Sequence, residues 1–293
     1  MGVIIIGLLV FVILVNPFIR YFVFHPVKCF RNGAIDLYNH FAHKVKNVCP
    51  YYGQIYMFVA EGTKAFGSGK TLSMVEFIRF VFNTYNGLPV WDSETKTFVI
   101  QHIIIVSNVQ LLDVPYIPFI GKDQFINIDK LPHEKQDVIL FCIDEAGSEF
   151  NSRQYKDNLP TDFLVRLLQI RHNKVGFLMT SQRFTFTDKL LRNVTGIVMT
   201  CKKMWRIVRL QYFDGYTLEN CSNPELIKPF KTRFYFADDS LFSAYDTLYN
   251  VEKLKNQLSE GDLMDTEEIL ARIKAEDNLQ VVKTKIKKKY RNL

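Results

Sequence analysis

At 293 residues, 48% of them hydrophobic and 23% charged, the chain can hold one sizeable α/β domain with short appendages, and its composition excludes the disordered classes. Cys29, Cys49, Cys142, Cys201 and Cys221 form no CxxC pair and no Cys/His cluster with zinc spacing, so they read as reduced thiols in a cytosolic compartment. The net charge of +7 says little about partners, because Lys283, Lys285, Lys287, Lys288, Lys289 and Arg291 supply six positives in the last few residues.

Residues 3–15 (VIIIGLLVFVILV) are continuously apolar, and the run resumes after Asn16 and Pro17 as far as Phe24. As one helix, residues 3–24 would extend about 33 Å at about 1.5 Å per residue, enough to span the hydrocarbon core. No basic region precedes this stretch and no small-residue cleavage site follows it, which favours an uncleaved anchor over a signal peptide. Gly2 does not open a myristoylation motif, since Ile6 stands where Ser or Thr is required. Arg20, Lys28, Arg31, Lys44 and Lys46 all follow the segment. The positive-inside rule therefore predicts a single pass through the inner or plasma membrane, N-terminus outside and the bulk of the chain cytoplasmic. Residues 25–53 read as a juxtamembrane linker.

Residues 54–60 (QIYMFVA) predict a buried strand running into EGTKAFGSGKT (61–71), followed by a helical stretch over 72–83. Strand, glycine loop, helix is the setting of a P-loop. Gly67, Ser68 and Gly69 would turn backbone N–H groups around phosphates that also lie at a positive helix end. Lys70 would neutralise the β- and γ-phosphates of ATP, and Thr71 would hold Mg²⁺ through its hydroxyl. The usual spacing places a glycine where this chain has Lys64; the nearest is Gly62.

Residues 98–106 (FVIQHIIIV) predict another buried strand. Residues 138–143 (VILFCI) predict a third, ending in Asp144 and Glu145 as a Walker B strand does. Asp144 would hold Mg²⁺ and Glu145 would polarise the attacking water. Two further strands are expected over 175–179 and 196–201, and Gln182 at the tip of the first is the candidate γ-phosphate sensor. A neighbouring subunit commonly completes a site of this class with an arginine, which makes Arg153 and Arg171 candidates. Arg171 is preferred because it ends a helix, although each could instead pair with a surface acid.

Four stretches together resemble the zonula occludens toxin-like family, the assembly ATPases of filamentous phages related to the HerA/FtsK group. They are FGSGKT (66–71), IDEAGSEFNSR (143–153), the Arg171-His172 pair followed by a strand to TSQR (180–183), and FSAYDT (242–247). The resemblance covers about residues 54–249. It implies an α/β P-loop NTPase with a mostly parallel sheet flanked by helices, here preceded by one N-terminal transmembrane helix. It also implies a membrane-embedded ring of identical subunits that uses ATP and Mg²⁺ to power export and assembly of a single-stranded DNA virion, with phage coat proteins as partners. Members commonly carry the membrane helix after the ATPase domain, whereas here the apolar run comes first.

Beyond residue 249, a polar helical segment (250–280) and a basic tail (281–293) are expected. Two other function classes compete with phage assembly: a conjugative coupling or viral DNA-packaging motor, and a non-hydrolysing, nucleotide-binding membrane scaffold. Intact Lys70, Thr71, Asp144 and Glu145 argue against the scaffold.

Overall fold

The computed structural model describes residues 11, 14–63, 66–150, 161–223 and 226–246. The apolar run through residue 10, Lys64, Arg153, the segment 250–280 and the tail 281–293 lie outside the described residues. Two units are distinguished, residues 1–48 with 89–98, and residues 49–88 with 99–293.

In the first unit, helix α1 (Pro17–Phe24) is followed by α2 (Pro26–Ala42). The expected continuous helix over residues 3–24 is interrupted at Asn16. That residue is extended (φ −99°, ψ 109°), and its side-chain Oδ1 accepts from Phe18 N at 3.0 Å and Ile19 N at 3.3 Å. Asn16 thus caps a new helix, whose first residue is a proline with no N–H to lose. Among the described residues, no helix is long and apolar enough to cross a membrane. The stretch expected as a linker is largely α2. Beyond α2, the His43 ring stacks on Trp91 with centroids 4.4 Å apart, and Asn47 Nδ2 donates to Pro89 O at 2.9 Å.

The second unit begins with β1 (Ile55–Ala60), which runs through the glycine loop into α3 (Lys70–Tyr85). A hairpin, β2 (Leu88–Asp92) and β3 (Thr97–Gln101), most of which belongs to the first unit, precedes β4 (Ile103–Ser107) in the chain. The single strand expected over 98–106 is thus two, and the break has long-range causes. Gln101 turns its side chain to accept from Cys49 N, while Asp137 accepts from the backbone N–H of His102.

The chain continues through β5 (Gln110–Leu111), β6 (Ile117–Pro118), α4 (Lys122–Ile126), β7 (Val138–Ile143), α5 (Ala146–Glu149) and α6 (Thr161–Leu168). After β8 (Val175–Ser181) come α7 (Lys189–Val194), β9 (Ile197–Met204), β10 (Ile207–Asp214) and α8 (Gly215–Asn220). The described part ends with β11 (Lys231–Phe236), α9 (Asp239–Phe242) and β12 (Tyr245–Asp246).

Eight strands form one sheet in the order β11-β10-β9-β1-β8-β7-β4-β6. β6, β4, β7, β8, β1 and β9 pair in parallel, and β10 and β11 extend the sheet antiparallel. Every residue of β1, β4, β7 and β8 is buried. That explains their unbroken apolar runs, since a parallel strand covered on both sides has no polar face to show. Alternation separates two cores. Tyr56 and Phe58 join Leu72, Met74 and Ile78 of α3 on one face. Ile55, Met57 and Val59 join Phe150, Phe163 and Leu191 on the other.

Candidate nucleotide site

The parallel strands bring their C-terminal ends to one edge, the usual location of a ligand in an open α/β sheet. Between β1 and α3, Gly67 and Gly69 take left-handed φ values of 67° and 87°. A side chain at Gly69 would also meet Lys203 Cβ at 3.3 Å, so two independent constraints favour glycine there. Ser68 is buried, and its Oγ has no hydrogen-bond partner within the chain. A buried hydroxyl left unmatched at the start of a 16-residue helix suits a phosphate oxygen. Lys70 opens that helix, with Thr71 next.

Thr71 Oγ1 lies 3.0 Å from each carboxylate oxygen of Asp144, directly beyond β7. This hydroxyl and carboxylate are the hard oxygen donors Mg²⁺ prefers, and one or two such groups suffice when phosphates complete the shell. Among the described residues there is no cluster of three or more His, Cys, Asp or Glu side chains able to hold a metal. The Thr71 hydroxyl and Asp144 carboxylate fit a Mg²⁺ that also takes oxygens from bound phosphates. Burial pushes the Asp144 carboxyl up, while hydrogen bonds from Thr180 and Thr71 pull it back down.

Three residues given no role from sequence shape this centre. Thr180, fully buried near the end of β8, donates to Asp144 Oδ1 and accepts the backbone N–H of Glu145 at 2.9 Å. Asn108, just past β4, accepts Asp144 N at 2.7 Å and donates to Asp144 O at 3.0 Å. Arg183 donates to Gly62 O at 2.6 Å, tying the loop after β8 to the start of the glycine loop. Thr180 and Arg183 left a sequence signal, as the first and last residues of TSQR, whereas Asn108 left none.

Glu145 adopts φ 50°, ψ 46°, a left-handed conformation that is uncommon outside glycine and turns the chain sharply into α5. Gln182 follows directly on the C-terminal end of β8, the strand lying between β1 and β7. Tyr245, from the late FSAYDT stretch, feels this centre too: burial and then the Asp144 charge push its phenol up to about 12.

Arg171 is elsewhere. Its side chain packs on Gly53, whose absent Cβ would stand 3.0 Å from Arg171 Cβ. Gly53 N donates to Val175 O at 2.7 Å, which places Arg171 at the N-terminal starts of β1 and β8. Within one chain it belongs to the opposite edge of the sheet from the P-loop.

No family model and no curated protein matches the chain. Among solved structures, the N-terminal domain of zonular occludens toxin from Neisseria meningitidis is similar at 16% identity and TM-score 0.42, over 67% of this chain and 100% of that one. The genome packaging NTPase B204 from Sulfolobus turreted icosahedral virus 2, in complex with ATP-gammaS, is similar at 14% identity and TM-score 0.38, over 65% and 93%. ATPases 2 and 3 of EssC from Geobacillus thermodenitrificans match at 15% identity and TM-score 0.38, over 77% and 44%.

Proposed function

We propose that this chain is a P-loop ATPase that works as a ring of identical subunits held at a membrane, powering assembly and export of a filamentous phage virion or of single-stranded DNA. The observation that carries the ATPase reading is one constellation at the sheet edge. A glycine loop with an unmatched buried Ser68 hydroxyl leads into Thr71, whose hydroxyl lies 3.0 Å from the Asp144 carboxylate, and Glu145 is held to Thr180 by its backbone N–H. Gly67, Ser68 and Gly69 receive the phosphates, and Lys70 offsets their charge. Thr71 and Asp144 would hold a Mg²⁺ brought by the nucleotide, which would supply further charge stabilisation. Glu145 would accept a proton from the attacking water, and Gln182 would sense the γ-phosphate.

The test separates binding from turnover. Lys70→Ala is expected to abolish phosphate-dependent nucleotide binding, and Glu145→Gln to retain ATP but stop hydrolysis. Wild-type hydrolysis by Glu145→Gln would remove that residue from the role of base, and a wild-type chain unable to hydrolyse ATP would return the protein to the scaffold class. The membrane reading rests on the apolar residues 3–15 together with α1, whose Phe18 and Phe24 are 85% and 72% exposed. The full chain should resist carbonate extraction from membranes, and removing residues 1–24 should release it. Full-length chain in the soluble fraction would sink this part of the reading.

A further inference from the structure

Where β9, β10 and β11 extend the sheet, one of its two faces carries three cross-strand rows. The antiparallel register aligns Thr200, Gln211 and Thr232 in the first, Lys202, Arg209 and Phe234 in the second, and Met204, Ile207 and Phe236 in the third. The alternate residues Cys201, Val208 and Leu210 point into the core against α3, so these rows face away from it. Phe234 and Phe236 are 65% and 57% exposed. They stand two residues apart on an edge strand, roughly 7 Å at the rise of an antiparallel strand. At the β9–β10 turn, Trp205 is exposed in a left-handed conformation (φ 56°) and meets Phe236 edge-on at 5.8 Å. A bulky residue held at positive φ marks a place where the fold tolerates strain.

Glu61, directly after β1, extends the middle row. Its Oε1 accepts from Arg209 Nη2 at 2.5 Å and lies 4.0 Å from Lys202 Nζ. The pairing is incomplete, because Glu61 Oε2, Arg209 Nε and Thr200 Oγ1 are all buried without a hydrogen-bond partner. Buried polar groups left without a partner in the chain call for a water, an ion or a ligand.

We propose that this face binds single-stranded nucleic acid, its bases stacking on Phe234, Phe236 and Trp205 and its phosphates competing with Glu61 for Lys202 and Arg209. Exposed aromatic rings beside cations on an open sheet suit unpaired bases, whereas a duplex hides its base faces and offers these rings nothing to stack on. Glu61 begins the loop that ends in Gly69, so displacing its carboxylate acts on the phosphate cradle and links strand binding to nucleotide turnover. Only that linkage rests on the ATPase reading.

The experiment measures anisotropy of a fluorescein-labelled single-stranded DNA of about 20 nucleotides, longer than the roughly 4–16 that such platforms cover, on the full chain without nucleotide. Lys70→Ala is expected to bind DNA as the wild type does, so loss of ATP chemistry and loss of the platform are read separately. Phe234→Ala with Phe236→Ala should weaken binding by about 30-fold or more, the lower end of what two stacked bases contribute, with basal ATP hydrolysis unchanged. Phe234→Tyr with Phe236→Tyr should restore it. If the alanine pair fails to fold, Lys202→Gln carries the test, lowering the slope of log affinity against log salt by about 0.7. Binding by a folded alanine pair within about twofold of wild type, or an unchanged salt slope in Lys202→Gln, would overturn the proposal. So would an alanine pair that keeps DNA but changes its sedimentation, which gives the face to a second copy, or one that keeps DNA but loses phosphatidylserine vesicles, which gives it to a lipid surface.

Discussion

Thr180 serves both Walker B acids with one hydroxyl, giving its proton to Asp144 and taking the N–H of Glu145. It lies at the C-terminal end of β8, the strand between the one carrying the P-loop and the one carrying the acids. Thr180→Val keeps the branched shape and removes the hydroxyl, leaving Asp144 Oδ1 with Thr71 alone and the Glu145 backbone N–H without its acceptor, the latter at a cost of about 1–3 kcal/mol. Groups that orient a metal ligand typically change affinity or activity by about 10–100-fold. Calorimetric titration of Mg²⁺ into the nucleotide-loaded variant should show a loss in that range, with the fold retained by circular dichroism. Wild-type Mg²⁺ affinity would show that Asp144 needs no such support. Asn108 acts one step further back, clamping the Asp144 backbone from both sides.

The starts of β4 and β7 are joined by a different device. Asp137 Oδ1 accepts from His102 N and lies 3.0 Å from His102 Nδ1, while Oδ2 accepts from Glu134 N at 2.7 Å. Burial alone would raise this carboxyl, but the hydrogen bonds from His102 and from the two backbone N–H groups hold it below its ordinary value. A carboxyl depressed on folding stabilises fully above its unfolded pKa, about 3.9, and that contribution disappears as pH falls through the lower folded value. The gap in thermal midpoint between wild type and Asp137→Asn should therefore be widest near neutrality and narrow steadily below pH of about 4. An equal gap across that range would show that neutral hydrogen bonds alone do the work.

The same region shows what sequence could and could not tell. Residues 138–143 are legible because a strand covered on both faces is apolar throughout. Residues 98–106 look alike, yet break at Gln101 and His102, since the partners that bend them are Cys49 and Asp137, which no local window contains. β10 alternates buried and half-exposed residues with period two, and β11 half-buried and exposed ones, a signal available but weaker than an apolar run. Gly67 to Thr71, and Asp144 with Glu145, could be read because each set is consecutive. Thr180 and Asn108 acquire their roles only when β8 and β4 come to flank β7.

At the scale of the whole molecule, the P-loop occupies the C-terminal edge of the sheet, and Arg171, with its side chain packed on Gly53, the N-terminal edge. If Arg171 serves a nucleotide, it serves one bound to another subunit, and that is the prediction a ring of these chains makes. Arg171→Ala should bind ATP normally and lose turnover by about 10³-fold or more, the range of an arginine that completes a phosphoryl-transfer site in trans. Gly53 has φ +72°, and the arginine's Cβ and Cγ supply its contacts, so Arg171→Lys separates packing from the planar fork. The lysine variant should fold and assemble like wild type yet recover little of the activity. Mixing Arg171→Ala with Lys70→Ala then tests the geometry, because some interfaces in a mixed ring pair an intact loop with an intact arginine. Part of the activity should return in proportion to those interfaces. A mixture that stays inactive while co-sedimentation confirms shared rings, or normal hydrolysis by Arg171→Ala alone, would leave Arg171 as a residue that only packs against the start of β1.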